Sequence, residues 1–178
     1  LNALKLNPKY SDAYIQLGIL YQNKKEYSEA LEYFKKAIEI DPENRNNYFP
    51  LISFYIVSED YNQAVIEAKK TIDYDRDDPD GHYKLAIIYN LQENNLKTIL
   101  ALSKSIDKKI SFPRYYVLDL DGATRIELVD MYLLRAEIYL KMNEKEMTCE
   151  DYNMALDLIE DNLDLKNKVD TLISENCN

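Results

Sequence analysis

The chain reads as an all-α protein, a solenoid built from helix-turn-helix repeats and closed by a C-terminal cap helix. Three observations predict it. Glycine (3) and proline (5) are scarce in 178 residues, which argues for long helices joined by short links. In "AYIQLGILY", Tyr14, Leu17, Gly18 and Tyr21 fall at i, i+3, i+4 and i+7, on one helical face. That block then recurs. "YIQLGILY" at Tyr14 is followed 34 residues on by "YFPLISFY" at Tyr48, 34 further by "HYKLAIIY" at His82, and 50 further by "YLLRAEIY" at Tyr132.

The second helices repeat in the same register. "EYSEALEYFKKAI" from Glu26 aligns with "DYNQAVIEAKKTI" from Asp60, "NNLKTILALSKSI" from Asn94 and "EKEMTCEDYNMAL" from Glu144. The sequence resembles the tetratricopeptide repeat family, whose pattern is W-x2-L-G-x2-Y, then A-x3-F, then P. Residues 11–44 carry it at Tyr14, Leu17, Gly18, Tyr21, Ala30, Phe34, Ala37 and Pro42. The second unit keeps Ala64, Ala68 and Thr71, and the third Thr98, Leu102 and Ser105; the fourth keeps Tyr152 and Ala155 but has Arg135 in the Leu slot. The resemblance implies a right-handed solenoid spanning residues 1–178, as a single domain and a piece of a longer chain. Its parts are a partial repeat at 1–10, repeats at about 11–44, 45–78, 79–112 and 129–162, an insertion at about 111–128, and a cap helix at about 163–175.

Each element has a local reason. Ala3 and Pro8 lie 34 residues before Ala37 and Pro42, so the chain starts in the second helix of a preceding repeat. Gly18 costs its helix about 1 kcal/mol relative to alanine. A small residue there is expected to let the paired helices approach closely. Ala86 and Ala136 occupy the same slot, and Ile52 is expected to push its pair slightly apart. Pro50 is tolerable if its helix starts near Asn46 or Asn47, because a first-turn N–H has no intrahelical partner. In the last segment, Leu165, Val169, Leu172 and Ile173 keep helical spacing, while Lys166 and Asp170 stand in the Trp and Gly slots. Polar residues there predict a solvating cap. The insertion "SFPRYYVLDLDGATRI" is long and apolar, and its first ten residues are expected to fold back across the face of the first helices.

Composition narrows the function. The net charge of −10 repels phosphate backbones and anionic lipid, so neither nucleic acid nor membrane is expected as a partner. Cys149 and Cys177 show no disulfide framework or metal spacing, and read as two free thiols in a reducing, cytoplasmic compartment, with Cys149 buried. His82, the single histidine, stands in the Trp slot and reads as a packing residue; the nucleophile and orienting group that a catalytic base needs are not indicated by the sequence. "DYDRDDPD" from Asp73 lacks the sixth-position glycine and twelfth-position glutamate of a calcium loop, and "DLDGATRIELVD" from Asp119 has its glycine fourth. Both read as solvated acidic turns that help cap the next helix. No catalytic residue, cofactor or metal is expected, and the chain is not read as an enzyme.

In the resembled family, the first helices line a concave groove that holds a peptide. The matching positions are Ile15, Ile19 and Gln22; Phe49, Ser53 and Ile56; Tyr83, Ile87 and Asn90; and Leu133, Glu137 and Leu140. This face is largely apolar. Some members grip acidic chaperone tails with a basic clamp, whose positions here are Ile15, Ile19, Pro50, Asp80 and Lys84; only Lys84 keeps the charge. The function expected is a non-catalytic scaffold that binds an amphipathic or apolar protein segment. The alternatives are a module that self-associates into a homo-oligomer, and a regulatory arm of a larger enzyme.

Overall fold

The computed structural model describes residues 10–111, 122–159 and 161–177. All regular structure among these residues is helical. The partial repeat before Tyr10 and the insertion segment 112–121, with its fold-back, lie outside them. Two compact units divide between Gln92 and Glu93. The first holds α1 (Ser11–Asn23), α2 (Tyr27–Ile40), a 3₁₀ turn (Arg45–Asn47), α3 (Tyr48–Val57), α4 (Tyr61–Tyr74) and α5 (Pro79–Leu91). The second holds α6 (Asn95–Ser111), α7 (Gly122–Lys141), α8 (Lys145–Leu158) and α9 (Leu163–Asn176). The all-α repeat fold read from the sequence is the fold observed.

The turns inside the repeats share one conformation. Lys25, Glu59, Glu93 and Asn143 all have positive φ, between 56° and 64°, and they stand at the same register in successive repeats. In three of the repeats the following N–H closes the helix end. Glu26 donates to the Tyr21 carbonyl, Asp60 to Tyr55 and Glu144 to Tyr139, at 2.9–3.0 Å. The left-handed residue reverses the chain and lets those N–H groups reach carbonyls that a helix end leaves open. Asp60 and Asn94 then cap the next helix, accepting from the N–H of Gln63 and Lys97.

The link between the first two repeats is polar but buried. The Asn47 side chain is fully buried and donates to the carbonyls of Ala37 (3.2 Å) and Asp41 (2.8 Å), at the end of α2. The Tyr48 hydroxyl donates to the Pro42 carbonyl at 2.9 Å. Pro50 is the third residue of α3, in its first turn, where its missing N–H costs no helix bond.

The second-helix slots Ala30, Phe34, Ala37, Ala64, Ala68, Thr71, Thr98, Leu102, Ser105, Tyr152 and Ala155 are all buried. Gly18 packs differently from the expectation of backbone on backbone. A Cβ placed on it would lie 2.5 and 2.6 Å from two ring carbons of Phe34. The glycine makes room for an aromatic ring from α2. The next repeat reverses the sizes: Ile52 stands in the glycine slot, Ala68 in the ring slot, and both are fully buried.

In the second unit α7 and α8 form the core, with Leu128, Met131, Ala136, Ile138, Tyr152 and Ala155 buried. α9 lies against α8 and buries Val169, while Lys166 and Asp170 are exposed. The free-thiol reading is corrected here. Cys149 and Cys177 form a disulfide, with Cα atoms 5.7 Å apart, and Cys149 is half-buried. α8 and α9 form a hairpin, which brings the start of the first beside the end of the second.

Candidate functional site

The groove positions on α1, α3 and α5 differ in how far they reach solvent. Ile15 is 8% exposed and belongs to the core. Ile19 is 38% exposed. Ser53 is exposed, and Gln22, Phe49, Ile56, Tyr83, Ile87 and Asn90 are half-buried. Half-burial is what a rigid recognition surface needs: one side of each residue is fixed by the helix pair, and the other is open. The Lys84 ammonium of α5 sits 5.8 Å from the centre of the Phe49 ring on α3. This cation–π contact ties two first helices together and places one positive charge beside a largely apolar set of side chains.

At one end of this face, Gln22 lines a cavity of about 220 Å³ together with Tyr27, Phe54, Val57 and Ser58. Phe54 forms its floor, with its ring edge-on to Tyr27 at 6.3 Å and to Phe34 at 6.0 Å. Val57 stands 66% exposed at the rim. Of these five residues only Gln22 is foreseen by the repeat register. Phe54 is an extra aromatic outside the tyrosine slots, the one signal in the sequence that pointed here.

In the second unit Leu133 is half-buried, and Glu137 and Leu140 are exposed. Glu137 pairs with Lys141 at 2.8 Å, one turn on. Both groups are well solvated, so the pair adds little stability. Beneath lies a polar network that sequence reasoning missed. Arg135 donates to both Asp151 oxygens, from Nε at 2.8 Å and Nη2 at 2.7 Å, and from Nη1 to the Ser103 hydroxyl at 2.8 Å. Burial works against the charge of Arg135, and the Asp151 hydrogen bonds and charge more than restore it. The slots of Arg135 and Asp151 hold Leu17 and Tyr33 in the first repeat, so the two departures form one exchange.

The acidic turn is solvated only in part. Asp78 caps α5, accepting from the Asp80 N–H at 3.1 Å. Its side chain is fully buried, and Arg45 reaches it at 2.6 Å. Burial raises its pKa, against the pull of the Asp80 N–H and Arg45. Gly81 is required beside it, since a Cβ there would lie 2.6 Å from the Thr71 hydroxyl. His82 is buried. Among the described residues no cluster of His, Cys, Asp and Glu could hold a metal ion, and no helix is long and apolar enough to cross a membrane.

Tetratricopeptide repeat models match residues 11–44 and 129–162, the first and fourth repeats. The chain carries tetratricopeptide repeats. Tetratricopeptide repeats generally mediate protein–protein interaction, and the proteins that carry them are generally non-catalytic scaffolds. No curated protein matches the chain by sequence. Among solved structures it is similar to TTC0263, a thermophilic repeat protein of Thermus thermophilus, with TM-score 0.67 and 19% identity over 96% of this chain and 84% of that one. It is similar to MamA, with TM-score 0.66 and 20% identity over 88% and 82%. It is also similar to YrrB, a repeat protein with an unusual peptide-binding site, with TM-score 0.50 and 18% identity over 91% and 93%. At these identities the likeness is one of fold.

Proposed function

We propose that this chain is a non-catalytic scaffold whose first helices hold an amphipathic or apolar protein segment. The observation that carries the reading is the row of half-open apolar side chains on α1, α3 and α5: Ile19, Phe49, Ile56, Tyr83 and Ile87. A charged tail gains little from such a face. An amphipathic helix or apolar strand buries its own side chains there. YrrB, a protein of like fold, has a peptide-binding site, which is consistent with a peptide ligand here. Phe49→Glu and Tyr83→Glu test it. Both should abolish partner capture while helicity by circular dichroism stays unchanged; retained capture in both variants refutes the face as the binding surface.

A second reading, self-association, draws on α1 alone. A depression of about 510 Å³ there is lined by Tyr10, Ala13, Leu17 and Leu20, by polar Asp12 and Gln16, and by the groove position Ile15. Sedimentation velocity decides: a concentration-dependent dimer would favour this reading. A cytoplasmic location rested on two free thiols. With those thiols joined, it holds only if the bond forms transiently.

A further inference from the structure

We propose that the Cys149–Cys177 disulfide is a thiol-responsive latch on α9. Three observations converge. The bond closes a separation of 28 residues and ties the last residues of the described chain to the first turns of α8. α9 is a helix of 14 residues with one buried side chain, Val169; Leu165, Leu172 and Ile173 are half-buried, and Leu163 is exposed. Both cysteines are half-buried and neither is sealed in the core. A helix held by one buried and three half-buried apolar residues gains from its cross-link, because the link removes much of the freedom that the detached helix would have.

The chemistry balances with a dithiol as the co-reactant. Its thiolate attacks one sulfur and forms a mixed disulfide, releasing the other cysteine as a thiol. The second thiol of the reductant then displaces the remaining cysteine. Two electrons pass to the protein, the two cysteines end as thiols, and the reductant ends as a cyclic disulfide. Release of α9 uncovers the side of α8 on which it lies. The uncovered surface is apolar where Val169 had been, so the state of the bond sets whether that side of α8 is covered or open.

Hydrogen exchange of the full chain tests this, with and without dithiothreitol. Reduction should speed exchange in α9 about tenfold or more and leave α7 unchanged. The double variant Cys149→Ser/Cys177→Ser should behave like the reduced protein whether or not reductant is present. Equal α9 protection in the oxidised and reduced proteins would overturn the proposal. So would loss of protection in α7 as well, which would make the bond part of the core. Titration of two free thiols in protein purified under air would also overturn it.

Discussion

Replacing Gly18 measures how tightly the first repeat is packed. Alanine gains about 1 kcal/mol of helix propensity. Its Cβ, however, would lie 2.5 and 2.6 Å from Phe34 ring carbons. Carbon atoms at rest stand about 3.5–4.0 Å apart, so something has to move by about 1 Å. The ring has little room to do so: Phe34 is fully buried, with Phe54 edge-on at 6.0 Å. Overpacking of this kind costs about 1–3 kcal/mol, which outweighs the propensity gain. Gly18→Ala should therefore be neutral to about 2 kcal/mol less stable, and Gly18→Leu worse. The partner change reverses the sign. Gly18→Ala with Phe34→Leu copies the Ala and Leu of the third repeat, and Gly18→Ile with Phe34→Ala copies the Ile52 and Ala68 of the second. Urea denaturation of both double-mutant cycles should give a favourable coupling of about 1 kcal/mol or more. Additivity within about 0.5 kcal/mol would refute the close contact, as would a Gly18→Ala protein stabilised by the full propensity gain.

The buried pair in the second unit gives a sharper loss. Arg135→Leu leaves the Asp151 carboxylate buried without its bidentate partner and should cost about 3–5 kcal/mol by chemical denaturation; Arg135→Leu with Asp151→Tyr, the pair of the first repeat, should recover most of it. Glu59→Gly relieves a left-handed turn that costs a non-glycine residue about 1–2 kcal/mol, less about 0.5–1 for the extra freedom of glycine when unfolded. Its urea midpoint should rise. Asp78 binds its proton more tightly folded than unfolded, so its share of stability falls as pH rises from about 4. Asp78→Asn removes that share, and stability plotted against pH should slope more steeply upward than in the parent.

The helices were legible because their apolar spacing repeats, and a period of 34 residues survives single departures. The turns were not. Their left-handed residues are Lys25, Glu59, Glu93 and Asn143, none of them the glycine that would have marked the reversal. Arg135 read as a defect in the Leu slot because its compensation, Asp151, sits on the next helix. The disulfide was missed for a related reason. Neither cysteine lies near the other in sequence, and only the α8–α9 hairpin brings them together. At the candidate site the repeat register assigns twelve positions to the first helices, but it does not say how each is seated. Ile15 went into the core, while Tyr27, Phe54 and Val57 built a cavity that no repeat position implies.

Photocrosslinking tests the central claim most directly. A benzophenone amino acid replaces Ile19 or Ile87 on the first helices, and Ile66 or Leu96 on the second helices, where both side chains are exposed. The scaffold reading predicts protein adducts in cells from the Ile19 and Ile87 positions alone, lost when Phe49→Glu is added. Equal adduct yields from both sets of positions, adducts from the second helices only, or adducts made solely of two copies of this chain would contradict it.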